Sequence, residues 1–237
     1  MSKLNRKITL ITNAVLVFIF TAVLLVGFLP WKSVPIYGGG DDVNAVYNGN
    51  RAHKRVSFMF NVYENTQVVN GIIDLLNEQG VKATFFVGGC WADDNGGTLC
   101  KMAVSGHEIG NHGYFHKDHK TISYQNNVEE IENTDKIVAG LSGVKMTLFA
   151  PPSGSFSETT LEVADKLGYK VIMWSKDTID WRDKDQNVLY KRATSSPENG
   201  DLILMHPKEH TLKVLPSIIE YYKSIGFSIV TVSENLS

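Results

Sequence analysis

The chain alternates between helical periodicity and short apolar runs, with a glycine at each change. Gly80, Gly106, Gly143, Gly168 and Gly226 each precede such a run, the densest being 81–87, 169–174 and 227–232. Ahead of Gly80, the residues Val68, Val69, Ile72, Ile73 and Leu76 follow i, i+3, i+4 spacing, which predicts an amphipathic helix. Leu161, Ala164 and Leu167 do the same before Gly168, with Ser155 and Glu158 spaced as a capping box. Leu212, Leu215, Ile218, Ile219 and Tyr222 precede Gly226. Glycine after a helix takes the left-handed conformation that ends it. A dense, partly β-branched run that follows reads as a strand buried on both faces. Runs 56–60 and 202–205 complete a set of about seven strands. The pattern predicts an α/β domain with a mainly parallel sheet, either a barrel or a doubly wound sheet.

The N-terminal segment differs. Residues 8–29 carry no charge and are mostly apolar, behind Lys3, Arg6 and Lys7. A bilayer core needs roughly 20 apolar helical residues, and flanking positive charge predicts a cytoplasmic N-terminus with the remainder exported. A cleaved signal peptide is the alternative, but its apolar region is usually about 7–15 residues long and ends at a small-x-small site. Here the run ends in Phe28-Leu29-Pro30-Trp31, so an uncleaved single-pass membrane anchor is expected. The expected organisation is a cytoplasmic tip and transmembrane helix over 1–30, a Gly- and Asn-punctuated linker over 31–53, and a domain over 54–237.

Composition narrows the function. With 23 Lys+Arg against 25 Asp+Glu, the net charge is −2, which excludes a phosphate-neutralising nucleic-acid binder. Two cysteines, Cys90 and Cys100, are too few for a disulfide scaffold or a four-thiolate zinc site. Export and the floppy loop between them predict that they pair with each other.

In parallel α/β folds the site lies at the C-terminal ends of the strands. Asn61, His112, Pro151-Pro152, Asp177, Asp180 and His206 all fall there. His112 and His116, four apart, suit two imidazoles on one metal ion, or else two histidines of a polar surface loop. His107, between Gly106 and Glu108, reads as structural. His206 closes an apolar run and is either a core histidine or an acid–base group. Asp177 and Asp180 are helix caps or site carboxylates, and Trp181 is core or a sugar platform.

These residues together carry a family resemblance. From about Lys54 to Val232 the sequence resembles the polysaccharide deacetylase (NodB-homology) domain of carbohydrate esterase family four. Gly106-His-Glu-Ile-Gly-Asn-His112-Gly-Tyr-Phe-His116 looks like its histidine motif, and Gly80-Val-Lys-Ala-Thr-Phe-Phe86 like its second strand. Phe149-Ala-Pro-Pro152-Ser-Gly154 stands where Arg-Pro-Pro-Tyr-Gly belongs. Asp177-Thr-Ile-Asp180-Trp181 and Leu204-Met-His206 resemble the last two motifs. The resemblance implies a distorted (β/α) barrel with fewer than eight strands. It implies a divalent metal, commonly zinc, held here by His112 and His116, with His206 and Asp180 catalytic. It also implies a substrate-binding surface at Trp181, Pro152 and Ser153, and an acylated glycan such as peptidoglycan or chitin-like oligomers.

The first motif departs from the pattern. Where the family has Thr-Phe-Asp-Asp-Gly, this chain has Met59-Phe60-Asn61-Val62-Tyr63, and the motif arginine is Ala150. An amide has no basic lone pair useful at neutral pH, so Asn61 cannot take a proton from water as an aspartate does. Valine cannot ligate a metal. Two expectations follow. One is a metal-dependent N-deacetylase in which Glu64 or Asp180 supplies the missing carboxylate. The other is a barrel that keeps the glycan groove and has lost hydrolysis.

Overall fold

The structure, a computed structural model, describes residues 44–237. The expected membrane segment at 8–29 lies outside the described residues; among these, no helix is long and apolar enough to cross a membrane. Strands β1 (Arg55–Val62), β2 (Thr84–Val87), β3 (Glu108–Asn111), β4 (Leu148–Phe149), β5 (Lys170–Val171), β6 (Lys176–Asp177), β7 (Asp201–Met205) and β8 (Ser228–Ile229) are all joined in parallel. Seven of them follow the order β5-β4-β3-β2-β1-β7-β6, and β8 adds to the start of β1. Helices fill the intervals: α1 (Thr66–Glu78), α2 (Gly89–Asp94), α3 (Gly96–Val104), α4 (Tyr124–Ser142), α5 (Glu158–Lys166), α6 (Gln186–Thr194), α7 (Glu209–Ser224) and the short α8 (Val232–Leu236). This is the α/β, curled parallel-strand architecture that the glycine-punctuated pattern predicts. Each of the five punctuating glycines has a φ between 64° and 78°, so each breaks its helix by the left-handed turn.

Two apolar layers follow from the alternation of side chains along β1. Val56, Phe58, Phe60 and Val62 face the helices, where Val69, Ile72, Ile73 and Leu76 of α1 meet them. Each such side chain contributes roughly 1.5–3 kcal/mol by leaving water. Met59 turns to the other side, into a smaller cluster with Phe86, Leu148, Ile172 and Leu204 that fills the barrel interior.

Three expectations need correction. Residues 45–50 do not behave as linker. Val46 forms a bridge to Ile172 and Asn48 to Asp201, so this stretch ties the β5 side of the sheet to β7. Backbone hydrogen bonds Val46 N–H to Val171 O (2.8 Å) and Gly49 N–H to Gly200 O (2.7 Å) hold it there. The cysteines are not paired: both are free, Cys90 on α2 and Cys100 on α3, where its thiol donates to Leu141 O. The stretch between them is mostly helical, not a floppy loop needing closure. Finally, α5 is capped by Ser157 with Thr160 rather than by Ser155 with Glu158.

His107 is structural, as its position predicts. It is 6% exposed and packs edge-on against Phe85, with its Nδ1 accepting from Ala83 N–H at 3.3 Å. Burial, reinforced by Lys82, pushes its pKa down to about 4. An unfolded histidine titrates near 6.5, so between these values the unfolded chain binds more protons than the folded one. Stability is therefore complete above pH ~6.5 and falls as pH drops toward about 4, by on the order of 1 kcal/mol per pH unit. His119 is shifted in the same direction by burial. Urea unfolding at several pH values is expected to show this slope, and His107→Gln is expected to flatten it. An equal slope in the variant would show that other groups govern acid stability.

Candidate active site

The C-terminal ends of β1, β3 and β7 and the loops after β4 and β6 surround a cavity of about 370 Å³. The strands end here because the chain turns from ladder to loop at Asn61–Val62, Asn111 and Met205. Asn61, His112, His116, Ser153, Asp177, Trp181 and His206 all line the cavity, so the structure brings together most residues singled out in the sequence. Tyr63, Trp174 and Leu204 join them. Leu204 belongs to the Leu-x-His motif read in the sequence, whereas sequence reasoning missed Tyr63 and Trp174; for Tyr63 the available signal was its place two residues after Asn61, on the same side of the strand end.

His112 and His116 are adjacent, with ring centroids 5.1 Å apart. His112 is 1% exposed, and its Nδ1–H donates to Ala150 O at 2.7 Å. That bond fixes the tautomer and leaves a lone pair on Nε2. Burial, with His116 nearby, pushes the His112 pKa down to about 3, so the ring is neutral at physiological pH. Burial lowers His116 as well. Tyr63 packs against His116 with centroids 4.3 Å apart. Position 150 thus serves the site through its backbone carbonyl, which any residue provides.

His206 stands across the cavity on a second support. Its Nδ1–H donates to Asp180 Oδ1 at 2.7 Å, and its backbone N–H to Asp180 Oδ2 at 2.7 Å. Thr211 Oγ1 also donates to Oδ2 at 2.7 Å, and Asp180 is 1% exposed. The carboxylate is thus behind the ring, outside the cavity lining, and the imidazole presents its Nε2 edge to the cavity. Pro152 is buried beneath the rim, in the 3-10 turn Pro152–Gly154. Ser153 holds the left-handed conformation at the tip of that turn (φ 56°).

Glu64 does not join the cavity lining, because Lys208 engages its carboxylate in an ion pair. Val62 is fully buried in the helix-facing apolar layer, pointing away from the side of β1 that carries Asn61. Among the described residues, no group of three or more His, Cys, Asp or Glu is placed to hold a metal ion. Two atoms nevertheless fit a cation: His112 Nε2 and Asn61 Oδ1 are buried at the cavity without a hydrogen-bond partner. The donor set at these atoms is two neutral imidazoles and an amide oxygen; Asp177, the carboxylate in the cavity lining, does not complete a group of three with the histidines.

A parallel barrel with paired imidazoles and a His–Asp couple at the C-terminal rim defines a hydrolase-type architecture. The chain belongs to the polysaccharide deacetylase family, whose model matches residues 48–172. Protein YlxY of Bacillus subtilis is 36% identical over 189 residues, covering 80% of this chain and 59% of YlxY. The peptidoglycan-N-acetylglucosamine deacetylase PgdA of Listeria monocytogenes is 30% identical over 185 residues, 78% of this chain and 39% of PgdA. The chain therefore spans 59% or less of the length of these two relatives. Among solved structures, BA3943 of Bacillus anthracis, a family-four pseudoenzyme, aligns with a TM-score of 0.81 at 31% identity, covering 83% of this chain and 70% of that one. A BA3943 mutant described as having restored enzymatic activity aligns with the same TM-score at 29% identity, covering 83% and 72%.

Proposed function

We propose that this chain is a deacetylase-type hydrolase of a cell-envelope glycan, acting on an N-acetyl group of peptidoglycan or a chitin-like oligomer at a rate far below that of a complete site. The observation that carries the reading is the convergence of His112, His116 and the His206–Asp180 couple on one cavity. His112 and His116 would hold a divalent metal, zinc by donor type, and hold it weakly for want of a carboxylate. When bound, such an ion polarises an acetamide carbonyl and a water molecule. His206, steadied by Asp180, is placed to give a proton to the leaving amine. Trp181, 55% exposed at the rim, and Ser153 would meet the sugar.

A second reading is a glycan-binding barrel without turnover. Asn61 in the cavity and Val62 in the core favour it, as does the likeness to a pseudoenzyme. Acetate release and equilibrium binding, measured with the full chain in detergent on chitin oligomers and peptidoglycan, separate the two. Slow zinc-dependent release supports the first reading, and binding without release the second. Neither binding nor release would remove both. We place the chain at the cell membrane through residues 8–29, with the barrel outside; protease shaving of intact cells checks this, and a domain protected until lysis would overturn it.

A further inference from the structure

Helix α4 buries a polar stripe where an amphipathic helix ordinarily buries apolar residues. Asn127, Glu130 and Thr134 are each at most 2% exposed, with Ile131 beside them. A buried carboxylate is retained only where its partners compensate the loss of water. The partners of the Glu130 carboxylate all lie on the loop that runs from His112 through His116 to Lys117. Its Oε2 accepts from Tyr114 N–H at 2.9 Å and from Phe115 N–H at 2.7 Å. Its Oε1 pairs with Lys117 Nζ at 3.1 Å.

That loop needs an external hold. It contains two left-handed residues, Gly113 (φ 73°) and His116 (φ 56°). A side chain at 113 would meet His119 Nε2 at 3.0 Å and Glu130 Oε2 at 3.3 Å, so the loop lies directly on the helix. Three residues before Glu130, Asn127 fastens the far end. Its Oδ1 accepts from His119 Nδ1 at 2.7 Å, while its amide donates to the carbonyls of His119, Ile122 and Ser123. A non-glycine residue in the left-handed region persists only when its surroundings over-determine it.

We propose that Glu130 is the positioning residue of the histidine pair: by taking the N–H groups of Tyr114 and Phe115, it sets the left-handed turn that points His116 at His112. The inference deepens the proposed function and rests on its reading of that pair. Charge-assisted hydrogen bonds are about twice as strong as neutral ones, so Glu130→Gln weakens the hold and Glu130→Ala removes it. Supporting residues behind metal ligands typically change affinity by about 10–100-fold. The test uses the full chain in detergent. Zinc affinity is read by competition with a chelator, and hydrogen exchange by mass spectrometry over 113–117. Val138→Ala, a buried change on the same helix away from the loop, controls for general destabilisation.

Zinc affinity is expected to fall about tenfold in Glu130→Gln and further in Glu130→Ala. Exchange over 113–117 is expected to accelerate in the same order, while Val138→Ala lowers the unfolding midpoint and moves neither readout. If Glu130→Ala does not fold, Glu130→Gln decides. Unchanged zinc affinity in Glu130→Gln, or an equal loss in Val138→Ala, would overturn the proposal. If the wild type takes up no zinc, the metal reading of the pair fails. The positioning role then stands if Glu130→Gln speeds exchange and weakens binding of chitin oligomers, and falls if it does not.

Discussion

Acetate release from an N-acetylated glycan is expected to rise by roughly 10²–10⁴-fold when Asn61→Asp, Val62→Asp and Ala150→Arg are combined, the range that a working general base supplies. The three changes act on different deficits. Asn61 already lines the cavity with its Oδ1 unpartnered, so an aspartate there stands where a water proton can be taken. Position 62 is different: Val62 sits fully buried in the helix-facing layer. An aspartate there loses apolar packing and must turn toward the imidazoles to find a cation. Without metal, Val62→Asp is therefore expected to lower stability by roughly 1–3 kcal/mol, the penalty of an unsatisfied buried polar group. Bound zinc should return part of that, so the zinc-induced rise in unfolding temperature should be larger in the triple variant than in the wild type. Ala150→Arg gains a partner only when position 61 carries a carboxylate. Groups that work as one unit are strongly non-additive, so each single change should do little. Initial rates for the wild type, the singles and the triple are the measurement. A wild-type rate equal to that of the triple, lost on Glu64→Ala, would refute the deficit and show that Glu64 leaves Lys208 to serve as the base.

What the sequence discloses depends on whether an element is built by side-chain pattern or by backbone contact. The glycine-terminated helices and the strands after them are written in apolar spacing, and they stand where that spacing puts them. His112, His116 and His206 are legible because imidazoles at strand ends have few structural reasons to be there. Residues 45–50 are held largely by backbone hydrogen bonds, which leave no periodic trace, so a closing segment reads as linker. Helices α2 and α3 are short and contain Gly89, Gly96 and Gly97, so their periodicity is too brief to see. Helix α4 escapes for the opposite reason: its inward face carries Asn127, Glu130 and Thr134, and a polar stripe looks like a solvated one until the fold shows what covers it.

In the restored triple variant, Asp180→Asn is expected to cut turnover by roughly 10²–10⁴-fold, as great a loss as removing an acid–base group outright. The carboxylate accepts three hydrogen bonds, one on Oδ1 from the His206 ring and two on Oδ2 from His206 N–H and Thr211. An amide has a single oxygen, and its NH₂ cannot accept. If the oxygen faces the ring, His206 N–H and Thr211 lose their acceptor. If it faces them, the NH₂ opposes Nδ1–H, favours the other tautomer and leaves the imidazolium, the form that gives its proton to the amine, without the anion that supports it. An orienting carboxylate behind a catalytic imidazole acts through this choice of tautomer. The loss should appear in kcat, because Asp180 does not line the cavity and makes no contact there with sugar. Stability should fall by roughly 1–3 kcal/mol for the buried donors left unpaired. Thr211→Val separates the two effects, since it deletes one bond to Oδ2 without touching the ring. It should lower stability by about 0.5–1.5 kcal/mol and leave kcat near that of the parent. If Asp180→Asn turns over at the parent rate, or Thr211→Val loses as much activity as Asp180→Asn, the couple is a structural brace and His206 is not the proton donor.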